Sequence, residues 1–433
     1  MNELQIAYQV MIKTIINCAG LGCLSYSIVN GGFAIYDKYF NKFDYTKQKL
    51  KNIDKAFEST SSLQSKDKEG NKYSPKLKNF TKKDYGFDLE YRLPVGMTFE
   101  KFANNLDIIE SAIEGQCMAW NEGRNVSIRA MMKQLDKEYD FNKSKVLDSL
   151  KGCKLGISIG ETPTGYIVFD IADKAMNIII AGYAGAGKSV TLRQIITAIQ
   201  LGYTPQQVKL LLIDLKGGIE LGLFEGSPFV DNLVIEHEEV LEEILKLTKE
   251  MEYRYSVMRQ ENATHISQLE KNPFPYKLVI IDEFAEITPS CLKGDEKKIA
   301  KDIENEIGRL LRMGRAAGIQ FIFCTQRPDS EIVDGQIKAN IQTKICHRVR
   351  DSVNSRVVIG NNKAYTLEPY PGRGIFQGPV KIGKEEFNMD MKFQSPYLSP
   401  KQARMLLANR YKELTNDNVV DITDKLKQKG VML

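Results

Sequence analysis

Residues 176–199 read MNIIIAGYAGAGKSVTLRQIITAI, and this stretch decides the fold. An apolar run leads into a glycine-rich turn, and apolar residues then recur at helical spacing, which predicts a strand, a loop and a helix. The pattern G-x-x-x-x-G-K-S/T is met inside the turn by Gly182, Gly187, Lys188 and Ser189. A glycine-rich turn between a buried strand and an amphipathic helix is typical of a loop that binds nucleotide phosphates.

Each residue type in this turn suits a bound triphosphate. Glycines let successive backbone N–H groups curl around phosphate oxygens, and the start of the following helix adds partial positive charge. Lys188 supplies a compact cation for the β- and γ-phosphates, and the Ser189 hydroxyl is a ligand for Mg²⁺. We therefore predict a site for ATP and Mg²⁺. The predicted nucleotide-binding residues are Gly182, Tyr183, Ala184, Gly185, Ala186, Gly187, Lys188, Ser189 and Val190.

Two adjacent acids follow a second buried strand. Residues 277–283 read KLVIIDE, in which four consecutive apolar residues precede Asp282 and Glu283, as in the strands of a parallel sheet. Asp282 is a candidate Mg²⁺ ligand, directly or through water, and Glu283 is a candidate general base for the attacking water. Two acids can also mark an ordinary strand end, but the phosphate loop upstream favours the functional interpretation.

Further runs of the same type predict a sheet. Apolar runs occur at residues 176–181, 208–214, 278–282 and 319–324. Helical stretches separate them, which describes parallel strands joined by crossover helices. Ligands of open α/β sheets bind at the carboxyl ends of the strands, and Gln326 follows the last run. Its amide is suited to sense the γ-phosphate or to orient water, and the alternative is a plain loop glutamine.

Composition excludes several other classes of protein. Hydrophobic residues make up 42% and charged residues 27% of the 433 residues, which rules out a mostly disordered chain and a polytopic membrane protein. The seven cysteines are scattered without a C-x-x-C pair, and the three histidines have no H-x-x-x-H spacing. This argues against a disulfide framework or a zinc site and favours a reducing compartment.

The motifs, taken in order, resemble those of the motor domain of the FtsK/SpoIIIE family of DNA translocases. The similar segments are GYAGAGKSV at 182–190, IDLKGG at 213–218, VIIDEFAEI at 279–287 and GRAAGIQFIFCTQRP at 314–328. The last of these, followed by IKANIQTKICHRV and NSR, is the most specific. The resemblance covers about residues 157–395.

The resemblance implies an α/β fold with a RecA-like P-loop ATPase core and a mainly parallel sheet. It implies a ring, of six subunits, that hydrolyses ATP to pull DNA through a central channel. The working residues carried over by position are Lys188, Ser189, Asp282, Glu283 and Gln326. The family also requires an arginine from the neighbouring subunit at the γ-phosphate. Arg312, Arg315 and Arg356 are candidates, of which we choose Arg315 as the catalytic one.

Departures from the family pattern narrow the expected role. Relatives dedicated to chromosome partitioning have several N-terminal membrane spans, a long linker and a C-terminal winged-helix domain, whereas only 38 residues follow residue 395 here. The layout resembles FtsK-like coupling proteins of conjugative plasmids and integrative elements, which bring relaxase-bound DNA to a secretion channel. The alternatives are a motor for chromosome or plasmid segregation and an FtsK-like ATPase that drives protein secretion.

The N-terminal segment, residues 1–40, contains a long uncharged stretch. No charge occurs among the 23 residues 14–36, which is enough to cross a bilayer at about 20 residues per span. Asparagines and glycines dilute the stretch, so a buried or partner-binding helix is the alternative to a membrane anchor. If the stretch spans a membrane, the lysines after it put the bulk of the chain at the cytoplasmic face.

Three further segments complete the predicted domain organisation. Residues 41–85 hold twelve lysines and few apolar residues, which predicts a solvated linker or frayed helix, with attraction to anionic lipid or nucleic acid as the alternative. Residues 86–156 predict a small α/β domain. Its first strand is FDLEYRL at 87–93, and a helix follows with Thr98 as N-cap. Residues 396–433 are expected to form a C-terminal tail.

Overall fold

The computed structural model describes residues 42–174, 177–270, 273–329, 339–382 and 385–416. These residues form two compact units, within Met1–Lys133 and Gln134–Leu433. The predicted N-terminal apolar helix lies outside the described residues. Within them, no helix combines the length and apolar character that crossing a bilayer requires.

The first unit is built on a four-stranded antiparallel sheet. Its elements are α1 (Lys42–Ser59), β1 (Ser65–Lys66), β2 (Lys72–Tyr73), β3 (Lys76–Lys83), β4 (Gly86–Arg92), α2 (Phe99–Ala103), α3 (Leu106–Ile113), β5 (Gln116–Glu122) and β6 (Asn125–Met131). The sheet order is β3-β4-β6-β5, and β1 pairs with β2 as a separate short hairpin. All pairings in this sheet are antiparallel.

The predicted strand and helix of this unit are both present. Every second side chain of β4 is buried, namely Phe87, Leu89 and Tyr91. Thr98 caps α2, because its hydroxyl accepts the backbone N–H of Lys101 at 3.2 Å. The apolar spacing after Thr98 predicted one helix, but the chain turns at Asn104 and Asn105 and resumes as α3.

Residues 41–85 were predicted to be a linker or frayed helix, but the described part of this segment, 42–85, is an integral part of the first unit. Ile53 and Phe57 lie one turn apart on α1 and are almost completely buried, as is Leu63. Helix α1 packs on α3, and β3 pairs with β4 along the edge of the sheet. These three well-spaced apolar side chains therefore hold this stretch in place, while its abundant lysines stay largely at the surface.

The second unit begins before the predicted domain boundary at residue 156. Its elements are α4 (Lys143–Leu150), β7 (Gly156–Thr162), β8 (Gly165–Asp170), α5 (Ile171–Lys174), β9 (Asn177–Ala181), α6 (Lys188–Gly202), β10 (Val208–Ile213), β11 (Val230–Val234), α7 (His237–Gln260), β12 (Tyr276–Ile281), α8 (Gly294–Met313), β13 (Ile319–Thr325), β14 (Ile341–His347), α9 (Ser352–Ile359), β15 (Arg373–Ile382), β16 (Glu385–Gln394) and α10 (Pro400–Asn416). Helix α4 packs on α6 and β7, which explains why it belongs to this unit.

One sheet of ten strands organises the second unit, in the order β11-β10-β12-β13-β9-β14-β15-β16-β7-β8. The pairings from β11 through to β14 are parallel, and those from β14 to β8 are antiparallel. The sheet is therefore mixed rather than mainly parallel. The predicted strands all fall in its parallel half, where side chains are buried on both faces.

The parallel half brings the ends of its strands to one edge. Ala181 at the end of β9 pairs with Thr325 of β13, and Ile281 of β12 pairs with Phe323. On the other side of β9, Ala181 pairs with Cys346 of β14. The residues that follow these strands therefore lie close together, which is the arrangement that positions the site described next.

Candidate nucleotide site

The predicted phosphate loop connects β9 to α6, as its sequence requires. Gly185 and Gly187 both have positive φ, +86° and +104°, a conformation that L side chains rarely adopt. At Gly187 there is also no room for a side chain, because a β-carbon there would lie 2.2 Å from the backbone nitrogen of Gly372. The N–H of Gly372 donates to the Ala186 carbonyl at 2.8 Å, which fixes the loop against the chain before β15.

Lys188, the first residue of α6, lies beside the end of β12. Its ammonium donates to the carboxylate Oδ1 and to the carbonyl oxygen of Asp282, both at 3.0 Å. The two side chains are 3% and 2% exposed. Burial opposes the charge on Lys188, but the attraction of neighbouring acids outweighs it and the pKa of Lys188 is raised. Two residues 94 positions apart thus form one buried ion pair.

Glu283 is held by two neighbouring strands. Lys216, in the loop after β10, donates to Glu283 Oε2 at 3.0 Å. The backbone N–H of Gln326, after β13, lies 3.1 and 3.2 Å from the two carboxylate oxygens. The carboxylate is 6% exposed, so these charge-assisted contacts fix its orientation at the strand tip.

The loop that carries Lys216 is itself fixed by Asp214. The Asp214 carboxylate is completely buried and accepts three backbone N–H groups, from Lys216 at 3.2 Å, Glu220 at 2.9 Å and Leu221 at 3.0 Å. A carboxylate that accepts three backbone donors closes a tight turn. Asp214 therefore fixes the backbone position from which Lys216 reaches Glu283.

His347, at the end of β14, links the first turn of α6 to the start of β15. Its Nδ1 lies 3.0 Å from the Arg373 carbonyl and its Nε2 lies 3.0 Å from the Thr191 hydroxyl on α6. A carbonyl only accepts, so Nδ1 carries the proton and Nε2 accepts from Thr191. Complete burial lowers the pKa of His347 to about 4, with Lys188 contributing, so the ring is neutral near pH 7.

The residues fit a Mg²⁺ ion that is bound mainly through a nucleotide. Ser189 is the second residue of α6 and is half-buried, and Asp282 is the acid at the facing strand end. Among the described residues, no cluster of three or more histidine, cysteine or acidic side chains could hold a metal by itself. Mg²⁺ typically takes one or two protein oxygens and completes its shell with phosphates and water, which this pair of ligands suits.

The three candidate arginines lie in different places. Arg315 is exposed in the turn before β13, whereas the phosphate loop faces the opposite end of that seven-residue strand, on the order of 20 Å away. Arg312 is exposed near the end of α8. Arg356 is exposed on α9, which follows β14 on the loop side. Arg315 therefore does not join the phosphate loop of its own subunit.

Two contributors to the site were missed from the sequence. Lys216 lies in the segment IDLKGG, which marked the motif but gave no sign of its contact with Glu283. His347 is the last residue of a buried strand, and its hydrogen-bond partner Thr191 is 156 residues away in the sequence. Only the placement of β14 beside β9 brings them together, so no local pattern identifies the histidine.

Comparison with curated proteins identifies relatives. Residues 154–272 match the model of the FtsK/SpoIIIE family. The chain is 29% identical over 337 residues to the DNA translocase FtsK of Staphylococcus aureus strain Mu50, covering 72% of this chain and 40% of the relative. It is 34% identical over 282 residues to the DNA translocase FtsK of Borreliella burgdorferi, covering 58% of this chain and 34% of the relative. The chain thus spans less than half of these relatives.

Solved structures share the fold. The conjugation coupling protein TcpA of pCW3, in its monomer form with ATPgS, matches with a TM-score of 0.56 and 24% identity, covering 84% of this chain and 99% of that one. ATPases 2 and 3 of EssC from Geobacillus thermodenitrificans match with a TM-score of 0.54 and 19% identity, covering 66% of this chain and 53% of that one. At these identities the likeness establishes the fold.

Proposed function

We propose that the chain is an ATP-dependent DNA translocase, because residues 154–272 match the model of the FtsK/SpoIIIE family. The observation that supports the proposal most strongly is the convergence of Lys188, Asp282 and Glu283 at one sheet edge. These are the residue types that bind phosphate, hold Mg²⁺ and activate water in P-loop ATPases. A turn that was only fortuitously rich in glycine would not need this acidic pair beside it.

The chain's own residues account for nucleotide binding. Triphosphate oxygens lying at the start of α6 attract the Lys188 ammonium, which then exchanges its contacts with Asp282 for contacts with phosphate. The exchange frees an oxygen of Asp282, which would hold Mg²⁺ together with the Ser189 hydroxyl. Mg²⁺, when bound, neutralises part of the phosphate charge. We propose the same nucleotide-contacting residues as the sequence predicts, Gly182 to Val190.

Glu283 is the residue we propose as general base. Its carboxylate is held by the Gln326 N–H and by Lys216. The lone pairs that these donors leave free therefore have a fixed direction. A carboxylate in that position accepts a proton from water as the water attacks the γ-phosphorus; the bond from the γ-phosphorus to the β,γ-bridging oxygen breaks, and ADP leaves. We further propose that the Gln326 side chain orients this water, and that Arg315 acts on the nucleotide of a neighbouring subunit in a ring of six.

The biological role that we favour is that of the coupling ATPase for DNA transfer by a conjugative plasmid or integrative element. The likeness to the coupling protein TcpA covers nearly the whole of that chain, and this is the observation that favours conjugation over segregation. Relaxase and secretion-channel proteins would then be partners at the cytoplasmic face of the membrane. A role in DNA segregation is the second candidate, because the curated relatives are DNA translocases named FtsK.

Stimulation of ATP hydrolysis by DNA tests the proposal. The purified chain is assayed with no polymer, with single-stranded DNA and with double-stranded DNA at rising salt, and Lys188→Ala serves as the inactive control. We expect DNA to raise the rate severalfold and salt to abolish the increase, because counterions compete for the phosphate contacts. If DNA leaves the rate of ATP hydrolysis unchanged and an exported peptide raises it, the result would support the protein-secretion alternative instead.

A further inference from the structure

A concave surface of the first unit carries a cluster of positively charged side chains. The basic groove, of about 810 Å³, lies between the β1–β2 hairpin, the edge strand β3, and the turns that follow β4 and precede β6. Five cationic side chains line it, namely Lys66, Lys76, Lys78, Arg92 and Arg124. All five are exposed. Among the side chains that the structure describes, Asp67 is the one acid in its lining.

The one acid that the structure describes in the lining offsets only part of this positive charge. The Asp67 carboxylate accepts the backbone N–H groups of Glu69 and Asn71 at 2.9 and 2.8 Å, and the Tyr73 hydroxyl at 3.0 Å. It is therefore committed to the turn of the hairpin. Among the described residues, none of the five cationic side chains has an ion pair, which leaves the groove strongly positive.

Two of the cations face each other directly. Lys76 of β3 and Arg92 of β4 are Cα partners in the antiparallel ladder, where opposed side chains lie about 5 Å apart at their β-carbons. Like charges in this position repel and destabilise the sheet. An anion bound between them would relieve that repulsion, so the pairing is an observation, independent of the net charge, that points to an anionic ligand.

The groove also offers apolar surface beside the charges. Tyr73 is 45% exposed and Val95 is 87% exposed, and both line the groove. The hydrogen bond from Tyr73 to Asp67 restrains the ring. A positive groove combined with an exposed aromatic ring is the arrangement that binds single-stranded nucleic acid, because the cations contact the phosphates and unpaired bases stack on the ring.

We propose that the basic groove binds single-stranded DNA, at a site in the first unit separate from the residues of the nucleotide site. This rests on the proposed function insofar as it takes DNA to be the polyanion that the protein meets. The exposed apolar side chains favour a single strand over a duplex, whose bases are stacked inside. A concave site favours a strand over a flat anionic membrane.

The test uses the full chain and fluorescence anisotropy of a labelled single-stranded oligonucleotide. The triple variant Lys76→Ala, Arg92→Ala, Arg124→Ala removes three phosphate contacts. We expect it to bind at least about tenfold more weakly at moderate salt, and its log–log salt slope to fall by about 2. The matched control replaces three exposed lysines of the same unit outside the groove: Lys51→Ala, Lys55→Ala, Lys83→Ala. It should retain the affinity and slope of the wild type.

Tyr73 provides a separate readout. Tyr73→Phe keeps the ring and should bind within about twofold of the wild type, whereas Tyr73→Ala loses the stacking surface and should bind about tenfold more weakly. The proposal is overturned if the groove variant and the control variant bind the single strand with equal affinity. It is also overturned if the groove variant loses affinity only for duplex DNA or only for vesicles of phosphatidylglycerol. DNA-independent ATP hydrolysis by the triple variant should match the wild type. A groove that binds DNA without stimulating ATPase activity supports this inference while contradicting the translocase function.

Discussion

The Lys216 ammonium lies 3.0 Å from Oε2 of Glu283, so the candidate base is ion-paired to the loop of a neighbouring strand. Lys216 is 36% exposed at its side chain and Glu283 only 6%. The pair therefore sits at the boundary between the buried strand ends and solvent. Asp214 fixes the Lys216 loop through three backbone contacts, which makes the position of the pair a property of the fold.

Replacing Lys216 tests whether it positions the base. We expect Lys216→Ala to lower kcat about tenfold, since Glu283 loses one of its two restraints, and to leave the Kd for ATP within about twofold. Lys216→Arg keeps a cation in reach and should recover most of the rate. The measurement is steady-state ATPase kinetics alongside nucleotide binding. A Kd that rises as much as kcat falls would assign Lys216 to nucleotide binding instead.

Glu283→Gln separates binding from hydrolysis. The amide keeps the size of the side chain but cannot accept a proton from water, so turnover should fall by about 10²–10⁴-fold while ATP still binds. Glu286→Gln, three residues further on, is the matched control and should hydrolyse ATP at close to the normal rate. The proposed base is wrong if Glu283→Gln turns over as fast as this control.

The two loop glycines allow strain and steric contact to be told apart. Gly185→Ala places a side chain at φ +86° in open space, whereas Gly187→Ala places one at φ +104° against the Gly372 backbone. Positive φ alone costs about 1–2 kcal/mol in free energy of unfolding. Gly187→Ala should lower the free energy of unfolding, measured by urea unfolding, by clearly more than this. It should also abolish nucleotide binding, measured by nucleotide titration. Equal losses in the two variants would mean that the Gly372 contact is unimportant.

His347 predicts a particular pH dependence of stability. The imidazole takes up a proton near pH 6.5 in the unfolded chain but only near pH 4 in the folded one. The unfolded state therefore binds more protons between these values, and the free energy of unfolding falls as pH drops through that window, by roughly 3 kcal/mol.

The variant His347→Gln should lose that part of the pH dependence. His237→Gln, which replaces a partly exposed histidine at the start of α7, is the control and should retain it. The measurement is denaturant unfolding of the wild type and both variants at several pH values between 4 and 7. A slope for His347→Gln that matches the wild type would show that other groups cause the acid sensitivity.

The placement of the candidate nucleotide-site residues was largely predictable because the signals for it are local. The apolar run before Gly182, the helix after Lys188 and the acids after Ile281 each follow from a few adjacent residues. The mixed character of the sheet was not predictable in this way, because β15 and β16 join it through pairings distant in sequence. The contact between His347 and Thr191 was not predictable for the same reason, since these residues are 156 positions apart in the sequence.

In the first unit, a prediction from sequence composition was wrong. Lysine-rich composition predicted a linker at 41–85, because a composition average conceals the one-turn spacing of Ile53 and Phe57. These two side chains, with Leu63, are almost fully buried and are enough to anchor helix α1. The alternative interpretation of the same lysines, attraction to nucleic acid or lipid, depends on where they lie. Only the structure gathers Lys76, Lys78 and others into one groove.

The central claim is that the protein moves along DNA. A direct measurement uses duplex DNA that carries a bound third strand, which a moving protein displaces. With ATP, the wild type should release the third strand at a rate that follows its ATP turnover. Glu283→Gln, with the same ATP, should leave the triplex intact for the duration of the assay. Wild-type protein that hydrolyses ATP in the presence of DNA, yet displaces neither this third strand nor streptavidin bound to the end of a biotinylated single strand, would contradict a translocase.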